Sequence, residues 1–224
     1  MRLVLFDVDG TLIDSAALIH ACLAETFREA GYADPGLDGT RSVIGLTLDR
    51  AIARLLGREI DEEIQSLTAR YKDLWLYFAS KRELKAKFYP GMLELVRELG
   101  QRDDLLLGMV TGKSRRGVRF LIDEHGLEKT FMTWRTADDC PSKPHPAMVM
   151  ECCAEAGIVP ARTLVIGDTS YDMQMASSAG ALALGVGWGY HARDQLLEAG
   201  ARAIAETADA IASLLEEMLP VAAQ

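Results

Sequence analysis

The sequence of 224 residues predicts an α/β fold, in which a doubly wound parallel sheet carries an inserted helical domain. Two observations support this prediction. Short apolar segments typical of buried strands alternate with amphipathic helical segments along most of the chain. A block of about 70 residues after the first strand contains only helical patterns, and this is too long for an ordinary crossover connection.

Five short apolar segments are predicted to be β-strands. The clearest are Arg2–Phe6, bounded by an acidic turn, and Leu105–Val110, which ends at a threonine and a glycine. None of the five shows the clean alternation of a sheet with one solvent face, so we expect a sheet covered by helices on both faces. The other three segments are 131–134, 163–166 and 181–186.

Helical patterns lie between the later strands and fill the insert. In the segment 91–99, Met92, Leu95, Val96 and Leu99 fall on one face, as in an amphipathic helix. The alternation of strands and helices predicts parallel strands joined by crossovers. The remaining predicted helices are 114–125, 146–156 and 171–179 after the insert, and 16–30, 47–56, 60–69 and 71–78 within it.

Composition limits the classes of partner. Lys and Arg total 24 and Asp and Glu total 33, which gives a formal charge of −9. Such a protein repels nucleic acids and anionic membranes, and an anionic substrate would need local cations. No apolar stretch approaches the roughly 20 residues of a membrane-spanning helix. The four cysteines have neither zinc nor disulfide spacing, so a cytoplasmic location is expected.

Two aspartates follow the first strand in the segment Asp7-Val8-Asp9-Gly10-Thr11. The glycine permits a turn that can bring the two carboxylates together. Close carboxylates disfavour joint ionisation unless a cation lies between them, and hard oxygen ligands suit Mg²⁺. A polar turn without chemistry would use the same residue types, so this motif alone leaves both interpretations open.

Polar residues also follow later strands. Thr111 and Gly112 follow the second strand, where a hydroxyl and a flexible backbone can donate to an anion. Lys143 precedes a helix, and the prolines after it give the lysine a defined position that suits a phosphoryl group. Asp168 and Asp172 follow the fourth strand and could complete an oxygen-rich metal site. Taken singly, each also fits a cap, a solvated loop or a helix start.

Taken together and in this order, the motifs resemble those of the haloacid dehalogenase superfamily, specifically its phosphatases of the phosphoglycolate phosphatase type. The segment from Asp7 to Leu12 carries the most specific part of the resemblance, which extends over the whole chain. The resemblance implies a Rossmann-like catalytic core formed by residues 1–14 and 89–224, and a helical cap domain formed by residues 15–88.

The resemblance also implies an aspartyl-phosphate mechanism. Asp7 would be the nucleophile, and Asp9 would protonate the leaving oxygen and then accept a proton from water. Mg²⁺ would be held by a carboxylate oxygen of Asp7, the backbone carbonyl of Asp9, and Asp168. Relatives that cleave carbon–halogen or carbon–phosphorus bonds lack the second acid, so the presence of Asp9 argues against both chemistries.

The remaining core residues have supporting roles by the same resemblance. Thr111, Gly112 and Lys143 would bind the phosphoryl oxygens, where charge is greatest. Asp172 would orient a metal-bound water or Lys143 from outside the set of direct ligands.

The insert is expected to decide which substrate is accepted. The loop from Arg41 to Thr47 resembles the specificity loop of the family, and it contains Gly45. Arg41 or Arg50 could pair with a substrate carboxylate or a second phosphate. Both arginines could equally be solvated charges on helix surfaces.

Four kinds of function remain open at this point. The first is a Mg²⁺-dependent phosphatase, monomeric or homodimeric, that acts on a small phosphorylated metabolite such as phosphoglycolate. The second is a phosphosugar mutase of the β-phosphoglucomutase type, which would use the same intermediate. The third is a pyrophosphatase or nucleotidase of the same fold, and the fourth is a non-catalytic binding protein. No nucleic-acid or membrane partner is expected.

Overall fold

A computed structural model describes residues 1–221 of the chain. Its main feature is a six-stranded, fully parallel sheet in the order β5-β4-β1-β6-β7-β8. The strands are β1 (Arg2–Phe6), β2 (Ile13–Asp14), β3 (Lys87–Phe88), β4 (Leu105–Val110), β5 (Thr133–Arg135), β6 (Thr163–Gly167), β7 (Leu182–Val186) and β8 (Ala203–Ala205).

Residues 1–221 form ten α-helices, which either cover the sheet or lie in the insert. Helices α1 to α4 belong to the insert, and the other six accompany the sheet. They are α1 (Ala16–Glu29), α2 (Gly36–Val43), α3 (Leu48–Leu56), α4 (Glu62–Ala79), α5 (Met92–Leu99), α6 (Arg115–His125), α7 (Ala147–Ala156), α8 (Ser170–Ala179), α9 (Arg193–Glu198) and α10 (Ala208–Met218).

Both faces of the sheet are covered, as expected for strands without alternation. One apolar cluster joins the strands to α5, α6 and α10, and a second joins the opposite face to α7, α8 and α9. Every residue of β1 is buried, because this strand lies between β4 and β6 at the centre of the sheet. The central strand therefore delivers the residues that follow it to the middle of the sheet edge.

The insert has an apolar cluster of its own. Its buried members come from α1, α3 and α4, and Leu23, Ile52 and Ile64 have essentially no exposure. The two crossings between the insert and the sheet pair as a short antiparallel ladder, in which Ile13 lies opposite Phe88. The division into domains at residues 14/15 and 88/89 stays a prediction.

The secondary structure differs from the expectations at several points. The segments 60–69 and 71–78 belong to one helix, α4, because no glycine or proline separates them. The short helix α2 was not anticipated, and neither were β8, α9 and α10 near the end of the described chain. The third strand begins two residues later than expected, at Thr133, because it is a short edge strand with a weak apolar signal.

All four cysteines are buried and free. Within residues 1–221, no helix combines the length and the apolar character needed to cross a membrane.

Candidate active site

The polar ends of three strands meet at one edge of the sheet, because β4, β1 and β6 are neighbours. Asp7 follows β1, Thr111 follows β4 and Asp168 follows β6. The N–H of Asp7 donates to the carbonyl of Ile166 over 2.9 Å, which extends the pairing of the two strands to the aspartate itself. The chain leaves β1 in one direction for β4 and later returns on the other side as β6. Ligands of open α/β sheets bind at such a switch point.

Gly10 allows the turn after β1 to approach Asp168. Its φ of +95° lies in the left-handed region, which favours glycine. A Cβ atom at this position would also collide with the carboxylate of Asp168. The turn motif therefore requires glycine for its conformation and for the space that Asp168 occupies.

Lys143 joins two aspartates in the interior. Its Nζ lies 2.7 Å from Oδ1 of Asp7 and donates to Oδ1 of Asp172 over 2.5 Å, and all three side chains are closed to solvent. Burial raises the pKa of Asp7 to about 7, although the Lys143 ammonium acts in the opposite direction. Burial lowers the pKa of Lys143, but Asp172 and Asp7 outweigh it and hold the pKa above its usual value.

Asp168 is held on the opposite side of the cluster. The hydroxyl of Thr11 donates to its Oδ1 over 2.8 Å, and the N–H of Tyr190 donates to its Oδ2 over 2.9 Å. Burial, together with the charges of Asp7 and Asp172, raises the pKa of Asp168 well above its usual value. The side chain is thus fixed in place, but burial and the neighbouring carboxylates disfavour its ionised form.

Asp172 lies at the start of α8 and is fixed by a reciprocal cap. The hydroxyl and the N–H of Thr169 both donate to its Oδ2, over 2.6 and 3.1 Å, and its other oxygen faces Lys143. This arrangement is the capping box that stabilises helix starts. It also leaves Oδ1 in one defined place beside the cluster.

The three buried carboxylates fit a divalent cation. Asp7, Asp168 and Asp172 each have an oxygen within 4.8 Å of the others. With one ammonium against three carboxylates, the ionised cluster has an excess of two negative charges. Oδ2 of Asp7 is buried and has no hydrogen-bond partner among residues 1–221. A buried charge needs a partner, and carboxylate oxygens are the ligands that Mg²⁺ prefers.

Asp9 lies beside the cluster and faces the insert. The hydroxyl of Ser15 and the ammonium of Lys113 both donate to its Oδ1, over 2.5 and 2.6 Å. Neither contact uses Oδ2. Asp9 is therefore held in one orientation with one oxygen available for another proton donor or acceptor.

Thr111 is buried at the end of β4, and its hydroxyl accepts from the N–H of Lys113 over 3.2 Å. A Cβ on Gly112 would lie 2.6 Å from the carbonyl oxygen of Leu46 and 2.8 Å from that of Gly45. The backbone of the insert thus lies directly against Gly112, and only a glycine accommodates it without displacement.

Two hydrogen bonds hold the same insert loop against the sheet edge. The N–H of Thr47 donates to the hydroxyl of Ser142 over 2.9 Å, next to Lys143. The hydroxyl of Tyr171 donates to the carbonyl of Ser42 over 2.9 Å. Together with the contact at Gly112, these bonds describe an insert closed over the strand ends.

A cavity of about 250 Å³ lies between the insert and the sheet edge. Asp9, Gly112 and Lys113 line it on the core side, and residues of α1, α3 and α4 line it on the insert side. Its volume is close to the lower end of the range for small-molecule sites, about 300–1,000 Å³. Asp9 lines this chamber, whereas the three carboxylates of the buried cluster are not among its lining residues.

The structure separates the four insert residues that the sequence singled out. Gly45 and Thr47 line the cavity. Arg41 lies outside it, at a second depression of about 220 Å³, and its nearest acid is Asp38 at 3.8 Å. Arg50 is exposed and is not among the lining residues. In this arrangement of the insert, neither arginine lines the cavity in which a substrate carboxylate or second phosphate would lie.

Other charged residues near the cavity were not anticipated. Lys113 lies two residues after Thr111, and its place in the segment Thr111-Gly112-Lys113 could have indicated a role. Lys72 on α4 and Arg116 on α6 also line the cavity. These two lie 44 positions apart in the sequence and on different parts of the fold, so no local pattern could have paired them.

Comparison with known proteins agrees with this geometry. Residues 4–186 match the family described as haloacid dehalogenase-like hydrolase. The protein named "Probable phosphatase IndB" of Dickeya dadantii is 30% identical over 208 residues, which cover 92% of this chain and 89% of the relative. A phosphoglycolate phosphatase of Pseudomonas putida is 31% identical over 194 residues, which cover 85% of this chain and 71% of the relative.

A solved structure supports the fold. A candidate β-phosphoglucomutase from Bacteroides vulgatus superposes with a TM-score of 0.80 at 23% identity, covering 99% of this chain and 91% of that protein. At that identity the likeness concerns the fold alone.

Proposed function

The chain belongs to the haloacid dehalogenase-like hydrolases and is a phosphatase of that family, and we propose that it hydrolyses a small phosphomonoester through an aspartyl-phosphate on Asp7. The observation that carries the proposal is the buried contact of Asp7 with Lys143, beside two further carboxylates. We also propose that residues 1–14 and 89–224 form the catalytic domain, that residues 15–88 form its cap, and that the enzyme acts in the cytoplasm.

Asp7 is proposed as the nucleophile. The ammonium of Lys143 at 2.7 Å favours the ionised carboxylate against the effect of burial, and Oδ2 has no hydrogen-bond partner within residues 1–221 that would compete with phosphorus. In the first step an Asp7 oxygen forms a bond to phosphorus while the ester oxygen leaves with its electron pair. Water then attacks the same phosphorus, and the Asp7 carboxylate is released.

Asp9 is proposed to move the protons. Both of its contacts, with Ser15 and Lys113, are on Oδ1, so Oδ2 is available to give a proton to the leaving ester oxygen. Asp9 then takes a proton from the attacking water. Its position in the cavity wall supports this role, because the leaving group would occupy the cavity.

Lys143, Thr111 and Gly112 are proposed to bind the phosphoryl oxygens. An ammonium, a hydroxyl and a backbone N–H suit the charge that these oxygens carry in the transition state. Asp7, the backbone carbonyl of Asp9, and Asp168 would hold Mg²⁺, with Asp172 fixing Lys143. The ion would supply charge stabilisation to the transferring group.

Phosphoglycolate is the first substrate to test, because proteins similar to this chain act on it by name. A phosphosugar mutase is the second candidate, since the cap is closed over the site and one structure of the same fold is a candidate β-phosphoglucomutase. A mutase would exchange phosphate between positions of one sugar without net release.

The test measures phosphate release from a panel of phosphomonoesters with Mg²⁺, for the wild type and Asp7→Asn. The matched control is Asp14→Asn, which changes an exposed aspartate near the same turn. We expect Asp7→Asn and a chelator each to lower the rate by at least about 10³-fold, and the control to stay within about twofold. Isomer exchange without release would favour the mutase. If the folded protein shows neither phosphate release nor isomer exchange, the result favours a non-catalytic binding protein.

A further inference from the structure

The outer part of the cavity is formed by one face of α4. Gln65, Thr68, Lys72 and Trp75 all line the cavity, and their spacing of three and four residues places them on the same side of the helix. Thr68 is buried, and within residues 1–221 its Oγ1 has no hydrogen-bond partner. One turn beyond Thr68, the same helix face brings Lys72 to the cavity wall.

Arg116, on the core helix α6, contacts the backbone of Lys72. Its Nη2 donates to the backbone carbonyl of Lys72 over 3.3 Å, and its guanidinium lies 5.9 Å from the centre of the Trp75 ring. A cation from the cap and a cation from the core are thereby brought to the same end of the cavity.

The cations and the acids that line the cavity differ in their partners. Neither Lys72 nor Arg116 forms an ion pair in the part of the chain that the structure describes. Asp9 accepts from Lys113 over 2.6 Å. Of the other lining acids, Asp49 accepts from the Thr47 hydroxyl over 2.6 Å and Asp138 accepts from the Arg115 N–H over 2.8 Å. Lys72 and Arg116 are thus the lining cations that an anionic ligand can engage without displacing an ion pair, in a lining that carries three basic and three acidic residues.

We propose that Lys72 and Arg116 bind a second anionic group of the substrate, at the end of the molecule remote from the phosphoryl group. This inference rests on the proposed phosphatase function and narrows its substrate class to phosphomonoesters that carry a carboxylate or a second phosphate.

The size of the cavity favours a leaving group longer than glycolate. The chamber of about 250 Å³ extends from Asp9 to Lys72 and Arg116, and a two-carbon acid would fill only a small part of it. A leaving group of three or more carbons can place one end at Asp9 and its anion between the two cations. Binding such a substrate also joins the cap to the core, because each contributes one of the cations.

The test uses a matched pair of substrates that differ only in the remote group. 3-Phosphoglycerate carries a carboxylate where glycerol 3-phosphate carries a hydroxymethyl group. Glycerol 1,3-bisphosphate forms a third arm, which distinguishes a phosphate from a carboxylate. The measured quantity is kcat/KM for each compound. The ratio of kcat/KM for the compound with an anionic remote group to kcat/KM for the compound with a neutral one reports the contribution of the two cations.

The variants are Lys72→Gln and Arg116→Gln, both at exposed positions where folding is not at risk. The matched control is Arg119→Gln, an exposed arginine on the same helix as Arg116 that does not line the cavity. We expect each cavity variant to lower the ratio of anionic to neutral kcat/KM by at least about fivefold, mostly through KM. Lys72→Arg is expected to restore part of the ratio, and the control leaves it unchanged.

The outcomes separate this inference from the proposed function. If both substrates are hydrolysed and neither cavity variant changes the ratio, the inference is wrong while the phosphatase function stands. If the wild type hydrolyses neither compound, binding of the same pair is measured by calorimetry. A preference for the anionic compound that is lost in Lys72→Gln then supports the second anion site without the phosphatase function, and equal binding overturns it.

Discussion

The ammonium of Lys143 lies 2.7 Å from a carboxylate oxygen of Asp7, and neither side chain has any contact with solvent. Removing either partner would leave an unpaired charge in the interior, and the desolvation of that charge would destabilise the fold. The same ammonium also contacts Asp172, so one cation serves two carboxylates. Stability and chemistry in this site are therefore coupled through one lysine.

Substitution Lys143→Met should destabilise the protein by about 3–5 kcal/mol near pH 8, because it leaves buried carboxylates without a cation. The loss should be smaller near pH 5.5, where Asp7, with a pKa of about 7, takes up a proton. Urea unfolding with chelator at both pH values measures the difference. Lys129→Met, at an exposed position without an ion pair in residues 1–221, is the control. Equal losses at both pH values would contradict the prediction.

The metal-free protein should lose stability as the pH rises from about 4 to about 7. Burial raises the pKa of Asp7 from 3.8 to about 7 and raises that of Asp168, so the folded state binds more protons than the unfolded state in this window. The free energy of unfolding then falls with pH, by up to about 1.4 kcal/mol per pH unit for one proton.

His191 opposes this trend, because burial lowers its pKa and its protonation destabilises the fold at low pH. His191 is present in both the wild type and Asp7→Asn, so the difference between their unfolding free energies cancels its contribution. Mg²⁺ should stabilise the wild type more strongly at pH 8 than at pH 5, since the ion must displace the bound protons. If the difference in unfolding free energy between the wild type and Asp7→Asn does not vary with pH, Asp7 does not have a raised pKa.

Substitution Gly112→Ala should impair activity without unfolding the protein. The added Cβ would lie 2.6 Å from the carbonyl oxygen of Leu46, closer than real contacts allow, so the insert loop must move away. We expect kcat/KM to fall by about tenfold or more, and the free energy of unfolding to change by less than about 1 kcal/mol.

Two further variants identify the cause of that loss. Gly39→Ala lies in the insert, where a Cβ makes only an ordinary contact at 3.6 Å, and it should be neutral. Ser142→Ala removes the hydrogen bond to Thr47 and acts on the same loop away from Gly112. If Ser142→Ala leaves kcat/KM unchanged while Gly112→Ala abolishes activity, the glycine acts through the phosphoryl group and not through cap closure.

Substitution Thr68→Val should stabilise the free protein by about 1 kcal/mol. The hydroxyl is buried without a partner in residues 1–221, and valine has the same shape without the polar atom. Thermal unfolding should show a higher Tm. Thr26→Val is the matched control, because the Thr26 hydroxyl donates to the Cys22 carbonyl over 2.7 Å, and its removal should lower the Tm. A fall in Tm for both variants would show that the Thr68 hydroxyl is satisfied.

Much of the fold followed from local patterns. The apolar segments that end at Asp7, Thr111 and Asp168 are buried parallel strands, as predicted, because such segments can be satisfied only inside a covered sheet. Elements with weaker patterns were missed or misjudged. The short helix α2 and the edge strand β8 have little apolar periodicity, and α4 was predicted as two helices although its buried residues, from Ile64 to Leu74, form one continuous face.

The core of the candidate site was also accessible from the sequence. Parallel strands place their carboxyl ends at one edge, so residues that follow neighbouring strands must meet, however far apart they lie in the chain. That rule brought together Asp7, Thr111 and Asp168 before any coordinates. It could not say that Lys143 lies between Asp7 and Asp172, since that depends on how one loop packs.

By itself, the sequence determined the parallel sheet, the helical insert after its first strand, and the acidic and basic residues at the strand ends. Only the tertiary structure decided how the insert closes on the core. It placed Gly45 and Thr47 at the cavity, left Arg41 outside, and brought Lys72 to Arg116. Strand ends converge because backbone pairing is regular and local, whereas contacts between two packed units depend on surface shape and charge, which no sequence period encodes.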